Sequence, residues 1–160
     1  MNKTWNILKK WFIEMGSPPL FYKWSSKIVV WLGILALTTL LIGLYWGIFL
    51  APTDYKQGDV YRILFIHVPS AILGQSIFMF MAICGFINII WRAKISGMML
   101  KSAAPIGMSF TLLALVTGSV WGKPTWGTWW VWDARLTSTL ILFFMYAALI
   151  SLHSTIEDKT

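Results

Sequence analysis

Four apolar runs divide the chain, each bounded by charged or turn-forming residues. The first, 28–50, holds 23 residues without a charge, enough for roughly 34 Å of helix against a hydrocarbon core of about 30 Å. Ala51-Pro52-Thr53-Asp54 ends it, and a short polar connection runs to about Arg62. The second run, 63–91, is longer than one crossing needs. Pro69 accounts for the excess, because proline suits a first helical turn and pushes the residue before it toward an extended shape. The pattern therefore predicts a helix that starts or kinks at Pro69, with Val68 extended and His67 at its mouth. Arg92, Lys94 and Lys101 mark the next connection, and a third run covers 103–120 with Pro105 near its start. A fourth covers 136–152. The fold class this predicts is an all-α integral membrane protein with four transmembrane helices, a single membrane domain over 1–160.

Composition supports that reading. Hydrophobic residues make up 58% of the 160 and charged residues 12%, where a soluble domain carries about a quarter charged. The net charge of +7 does not point to nucleic acid, because Lys and Arg cluster beside the apolar runs rather than on one face. They read as topology signals and contacts to anionic lipid headgroups. Nine of the thirteen fall on the N-terminus, the second connection and the tail, and four on the first connection and the segment 121–135. The positive-inside rule then puts both termini in the cytoplasm and His67 on the same external face as 121–135, with His153 on the other. Residues 1–27 interleave Lys3, Lys9, Lys10, Lys23 and Lys27 with Trp5, Trp11, Phe12 and Trp24, which predicts a basic amphipathic segment lying on the membrane surface. The first run is expected to remain as an anchor, being too long for a signal-peptide core and lacking a small-residue cleavage site. Gly43 and Gly47, four apart, would allow a close helix neighbour. Cys84 lies deep in an apolar run with no second cysteine, so it reads as packing.

The segment WGKPTWGTWWVWD, 121–133, holds five of the eleven tryptophans, at 121, 126, 129, 130 and 132. An aromatic belt at the membrane interface uses one or two per helix end. Five in twelve residues, with Gly122 and Gly127 between them, read instead as a platform for a flat, mostly apolar ligand. Trp126, Trp129, Trp130 and Asp133 are expected to share one face of a short helix. His67 reads either as a hydrogen-bonded structural residue or, facing such a platform, as an axial ligand to haem iron. Lys123, Arg135 and Arg62 are the nearby external cations; they read equally as interface anchors and as partners for the carboxylates of an anionic ligand. Asp133 is expected to orient an indole, pair with Arg135 or cap the next helix, rather than act as a base. There is no Gly-rich phosphate loop, no paired carboxylates and no Ser/His/Asp set, so hydrolytic and phosphoryl-transfer chemistry have no footing.

Trp126-Gly127-Thr128-Trp129-Trp130-Val131-Trp132-Asp133 matches the WGxxWxWD signature of haem-handling membrane proteins. With WGKPTWGTWWVWDARLTS around it, YRILFIHVPSA around His67 and the APTDYKQG connection, the chain resembles the haem exporter protein C family of bacterial cytochrome c maturation, from about residue 17 to its end. That resemblance implies a multi-pass bacterial inner-membrane protein that presents haem b, iron protoporphyrin IX, at the periplasmic face. It implies delivery to a membrane-tethered haem chaperone, alongside ABC-type transporter subunits and a small single-helix subunit. It also places haem on Trp121, Trp126, Gly127, Trp129, Trp130, Trp132 and Asp133 between two external histidines, His67 matching the first. Members of the family have six spans and carry the second histidine between the last two, so the resemblance predicts that this chain is a partial form or that a partner supplies the remainder. Two rivals from other classes are a quinone-binding subunit of an electron-transfer complex and a structural assembly factor that docks a protein through its tryptophans. The first would show no metal absorbance; the second would depend on Trp130 and not on His67.

Overall fold

A computed structural model describes residues 16–157 and contains four long helices. Helix α1 runs Pro18–Tyr45 and continues into a π-helical turn, Trp46–Leu50. A tight connection and a 3-10 turn, Asp59–Ile63, lead into α2, Leu64–Trp91. Helices α3, Lys94–Trp126, and α4, Ala134–Glu157, complete the chain. All four are long and apolar enough to cross a membrane, which bears out the predicted fold class.

Several predicted boundaries are corrected, and each for a physical reason. Helix α1 begins at Pro18, ten residues before the apolar run, so the stretch 18–27 continues the first helix instead of forming a separate surface segment. Residues 1–15, with the remainder of that expected segment, lie outside the described residues. Helix α2 does not start at Pro69 but passes through it, and Val68 is helical, not extended. The 3-10 turn before it starts the helix early, and proline's fixed φ is itself helical, so Pro69 is accommodated inside α2 at the cost of one backbone hydrogen bond. His67 accordingly sits in the first turn of α2. The basic connection shrinks to Arg92 and Ala93, with Arg92 left-handed at φ 51°, while Lys94 and Lys101 lie on α3. Such a two-residue link makes α2 and α3 an antiparallel hairpin. The 33 residues of α3 make about 50 Å of helix, well beyond a hydrocarbon core of about 30 Å. An apolar run ends where the lipid ends, but a helix satisfies its own backbone and continues into the polar layer. Residues 94–102 and 121–126, predicted as connections, are therefore helical.

Helices α2 and α3 pack along their length and α4 lies on α3. Their crossing is built on small residues. A Cβ at Gly74 would stand 2.7 Å from Thr111 Oγ1, and one at Gly107 would overlap the Tyr146 ring. Tyr146 is completely buried, donates a 2.7 Å hydrogen bond to the Gly74 carbonyl, and meets Phe78 edge-on at 5.4 Å. A phenol between three helices in an apolar layer must find an acceptor, and Gly74 exposes one because no side chain covers it. Met81 and Ala104 extend this core, and Cys84 is buried and free of any disulfide, as a packing residue should be.

Helix α1 has no buried residue and meets the remainder chiefly near its end. There Gly47 is pressed against the Phe65 ring, while Gly43 has nothing near it, so only half of the predicted glycine pair is used. The π turn, closed by Ala51 N–H to Trp46 C=O at 2.8 Å, leaves the Ile48 carbonyl to accept from the Arg62 guanidinium.

Candidate functional site

The site forms where α2 begins, α3 ends and α4 begins. The connection before α2 contributes first. Asp54 folds it into a turn by accepting the Lys56 and Gln57 N–H groups at 2.9 and 2.8 Å, while Gly58, at φ 59°, bonds back to the Asp54 backbone. That turn presents Gln57 to α3, where its Oε1 accepts the Trp121 indole N–H at 2.8 Å. Trp121 in turn meets the His67 imidazole edge-on, with ring centroids 5.7 Å apart and planes at 70°. His67 Nδ1 lies 3.0 Å from Thr117 Oγ1, and a Cβ at Gly118 would stand 2.9 Å from His67 Cε1, so the missing side chain at Gly118 lets the ring approach α3 closely.

Helix α3 stops at Gly127, whose φ of 79° reverses the chain. Left-handed backbone of this kind costs any residue with a Cβ. Gly122 is needed for a different reason: a Cβ there would meet the Trp126 ring at 3.1 Å and the Thr128 carbonyl at 3.3 Å. Both glycines thus serve the chain's own turn. Beyond Gly127 the backbone is irregular to Asp133, so the expected short helix carrying Trp126, Trp129, Trp130 and Asp133 on one face does not form. Thr128 takes part in this: its hydroxyl donates to the Trp130 carbonyl at 3.1 Å and accepts from the Trp130 N–H at 3.4 Å, a local turn that competes with helix.

Asp133 then starts α4. One oxygen accepts the Leu136 N–H at 2.8 Å as an N-cap, and the other pairs with Arg135 through Nη2 at 2.8 Å and Nε at 3.2 Å. The Leu136 N–H first, and then the Arg135 guanidinium, hold its carboxyl below the usual range. The Arg135 guanidinium also stacks on the Trp126 ring, 5.7 Å from its centroid.

These elements enclose an open cavity of about 520 Å³, lined mostly by apolar atoms. That volume is within the roughly 300–1,000 Å³ of small-molecule sites. His67, Trp121, Trp126 and Arg135 line it, so the fold brings these four predicted residues together. The others lie outside it. Trp129 and Trp132 are 56% and 77% exposed on the loop, and Trp130 meets Trp132 edge-on at 5.4 Å with its own indole N–H buried and unpaired. Lys123 donates to the Gly127 carbonyl at 3.1 Å and so closes the end of α3. Arg62 reaches back to Ile48 and to Asp59, 3.1 Å away. Of the three candidate cations, then, Arg135 alone borders the cavity. His153 lies roughly 27 Å along α4 from Arg135, at the opposite end.

The chain matches a family model described as Heme exporter protein C over residues 11–160. It belongs to the Heme exporter protein C family. Among curated members, "Heme exporter protein C" of Escherichia coli (strain K12) is 46% identical over 146 residues, 91% of this chain and 60% of that protein. The Haemophilus influenzae protein of the same name is 43% identical, covering 94% of this chain and 61% of that protein. The Bradyrhizobium diazoefficiens one is 45% identical, covering 92% and 56%. The chain therefore spans about three-fifths of the length of the Heme exporter protein C relatives it matches. Together with the four helices, this family makes it a multi-pass bacterial membrane protein.

Four residues of the site had no signal in the sequence: Gln57, Thr117, Gly118 and Gln75, which lines the cavity two turns below His67. Gln57 and Thr117 are separated from their partners by 64 and 50 positions, and their roles follow from how the connection before α2, and α2 itself, are set against α3.

Proposed function

We propose that this chain binds haem b at the periplasmic face of the bacterial inner membrane and passes it to a membrane-tethered haem chaperone for c-type cytochrome biogenesis. The observation that carries the reading is a cavity bordered together by one imidazole, two indoles and one guanidinium. The residues present suit such a group. Among the described residues no three His, Cys, Asp or Glu side chains converge, so a metal held at His67 must bring most of its ligands with it, as a porphyrin does. Trp121 and Trp126 offer aromatic surface beside the imidazole, and Arg135 supplies a cation to pair with a carboxylate at the rim. Trp129, Trp130 and Trp132 extend that surface outward, where a receiving protein would meet it.

The iron supplies the coordination and redox chemistry when bound; the protein sets orientation and exposure. His67 offers a ring nitrogen, the indoles hold a flat ring and exclude water, and the Asp133–Arg135 pair keeps the guanidinium at the cavity edge. The role is transfer rather than catalysis. On this reading ABC-type transporter subunits and a small single-helix subunit are the membrane partners, and a second histidine would come from the share of the family's length that this chain does not span.

The test is the visible absorption spectrum of the detergent-purified chain after haem is added, oxidised and reduced, beside His67→Ala. A Soret band that weakens or shifts in the variant supports haem held by His67. No band in either protein, while a full-length relative binds haem, would mean that this chain does not suffice and the proposal fails for it.

A further inference from the structure

We infer that Thr117 is the positioning residue for His67: it holds the imidazole with the proton on Nδ1, so that Nε2 presents its lone pair to the cavity. This deepens the haem reading and rests on it.

The argument begins with one proton. The Thr117 hydroxyl lies 2.6 Å from the Leu113 carbonyl and 3.3 Å from that of Ala114, one turn back on α3. A separation of 2.6 Å between two oxygens needs a proton between them, and a carbonyl has none to give. The hydroxyl proton is therefore spent on Leu113. At 3.0 Å from His67 Nδ1, the same oxygen has only lone pairs left, so the proton of that contact belongs to the imidazole. A neutral imidazole with hydrogen on Nδ1 carries its lone pair on Nε2.

Position agrees with the proton. Measured from a Cβ built at Gly118, Cε1 is the nearest ring atom at 2.9 Å, with Nδ1 at 3.4 Å and Nε2 at 3.9 Å, so Nδ1 is the nitrogen nearer to α3. Trp121 closes one edge of the imidazole, and the ring borders the cavity. Thr117 itself is 9% exposed and does not border the cavity, so it acts on a ligand only through His67. Partners of this kind fix the tautomer of a metal-binding histidine, and their loss typically costs about 10–100-fold in affinity.

The chain has only two histidines, which makes the proton directly visible. The full chain, labelled with nitrogen-15 in histidine and held in detergent micelles without haem, is measured at alkaline pH where the imidazole is neutral. His67→Gln identifies the His67 signals by difference. In the wild type, Nδ1 is expected in the range of a protonated ring nitrogen and Nε2 in that of an unprotonated one. Thr117→Val keeps the volume and removes the hydroxyl, and is expected to shift the balance toward Nε2–H; Thr117→Ser is expected to retain the wild-type pattern.

Haem titrated into the same three proteins should bind Thr117→Val about 10–100-fold more weakly than wild type, with Thr117→Ser close to wild type. Wild-type His67 protonated on Nε2 overturns the inference, even if Thr117→Val does not fold. So does a Thr117→Val protein whose tautomer or haem affinity is unchanged. A wild type with the expected tautomer but no haem binding that depends on His67 sinks the haem reading instead. The Thr117 bond is then a contact between α2 and α3 and nothing more.

Discussion

The tryptophan-rich segment is two regions with opposite physics. Residues 121–126 are the last turns of α3, where Trp121 is tied to Gln57 and wedged on His67, and Trp126 lies under Arg135. Residues 127–133 have no regular structure, and two of the three indoles there stand mostly in the open. In the inner region helical hydrogen bonds fix the backbone and contacts with Gln57, His67 and Arg135 fix the two rings. The outer region is shaped only by Gly127, the Thr128 turn and the Asp133 cap. A composition that reads as one uniform platform thus divides into a helical part tied to His67 and Arg135 and an irregular apron beyond it.

The strongest test of that division compares His67→Ala with the double change Trp129→Phe and Trp132→Phe. On the proposed function the first is expected to remove the protein's ligand to the iron, seen as a weakened or shifted Soret band. The second leaves the band in place and changes haem affinity by only about 2-fold, since exposed substitutions rarely exceed about 0.5 kcal/mol. A Soret band weakened or shifted to the same extent in the double variant would erase the distinction.

Gly118→Val sharpens it from the helix side. Its first added carbon would already stand 2.9 Å from the imidazole, so the ring must swing away from α3. Overpacking of this kind costs about 1–3 kcal/mol, and haem affinity should fall about 10-fold or more with a shifted Soret maximum. Thermal unfolding in detergent shows whether the cost falls on the fold as well.

Smaller is the effect of Trp121→Phe, which keeps the ring on His67 but removes the N–H and leaves Gln57 without its donor. One such bond is worth about 0.5–1.5 kcal/mol, so a loss of roughly 2- to 10-fold is expected. In the outer region Gly127→Ala forces a Cβ into left-handed backbone, costing about 1–2 kcal/mol. Calorimetry should record that in stability, while the spectrum of bound haem barely moves.

The pH dependence of the apron is the smallest effect. The Asp133 carboxyl is held below its unfolded value of 3.8, so its contribution is present above that value and is lost as pH falls through the lower, folded one. Melting curves followed from neutral to acid pH should show this step in the wild type and not in Asp133→Asn, which keeps a capping oxygen but has no proton to gain. The step should leave haem binding through His67 intact at the higher end of that range.

Much of this was legible in the chain. Apolar run length decided that there are four spanning helices, because each needs about 20 residues without charge whatever it packs against. Counting those runs with the Lys and Arg bias predicted His67 and the tryptophans at one end, and the contact of His67 with Trp121 places them there. Asp133 ahead of an apolar run predicted its own cap and pairing. The helix ends were misjudged because hydropathy reports where lipid stops, whereas α3 stops only at Gly127, where the backbone turns left-handed.

What the chain could not disclose is which side chain faces which across helices. Thr117 meets His67, Gln57 meets Trp121, and Tyr146 meets Gly74, at separations of 50, 64 and 72 positions. In each pair one residue is small or polar and unremarkable in its own segment. Its role depends on the rotation and depth of one helix against another, which close packing around Gly74, Gly107 and Gly118 decides. Local patterning therefore determined how many helices there are and which end carries the chemistry. Only the tertiary packing decided which of the tryptophans and cations border the cavity, and which proton His67 keeps.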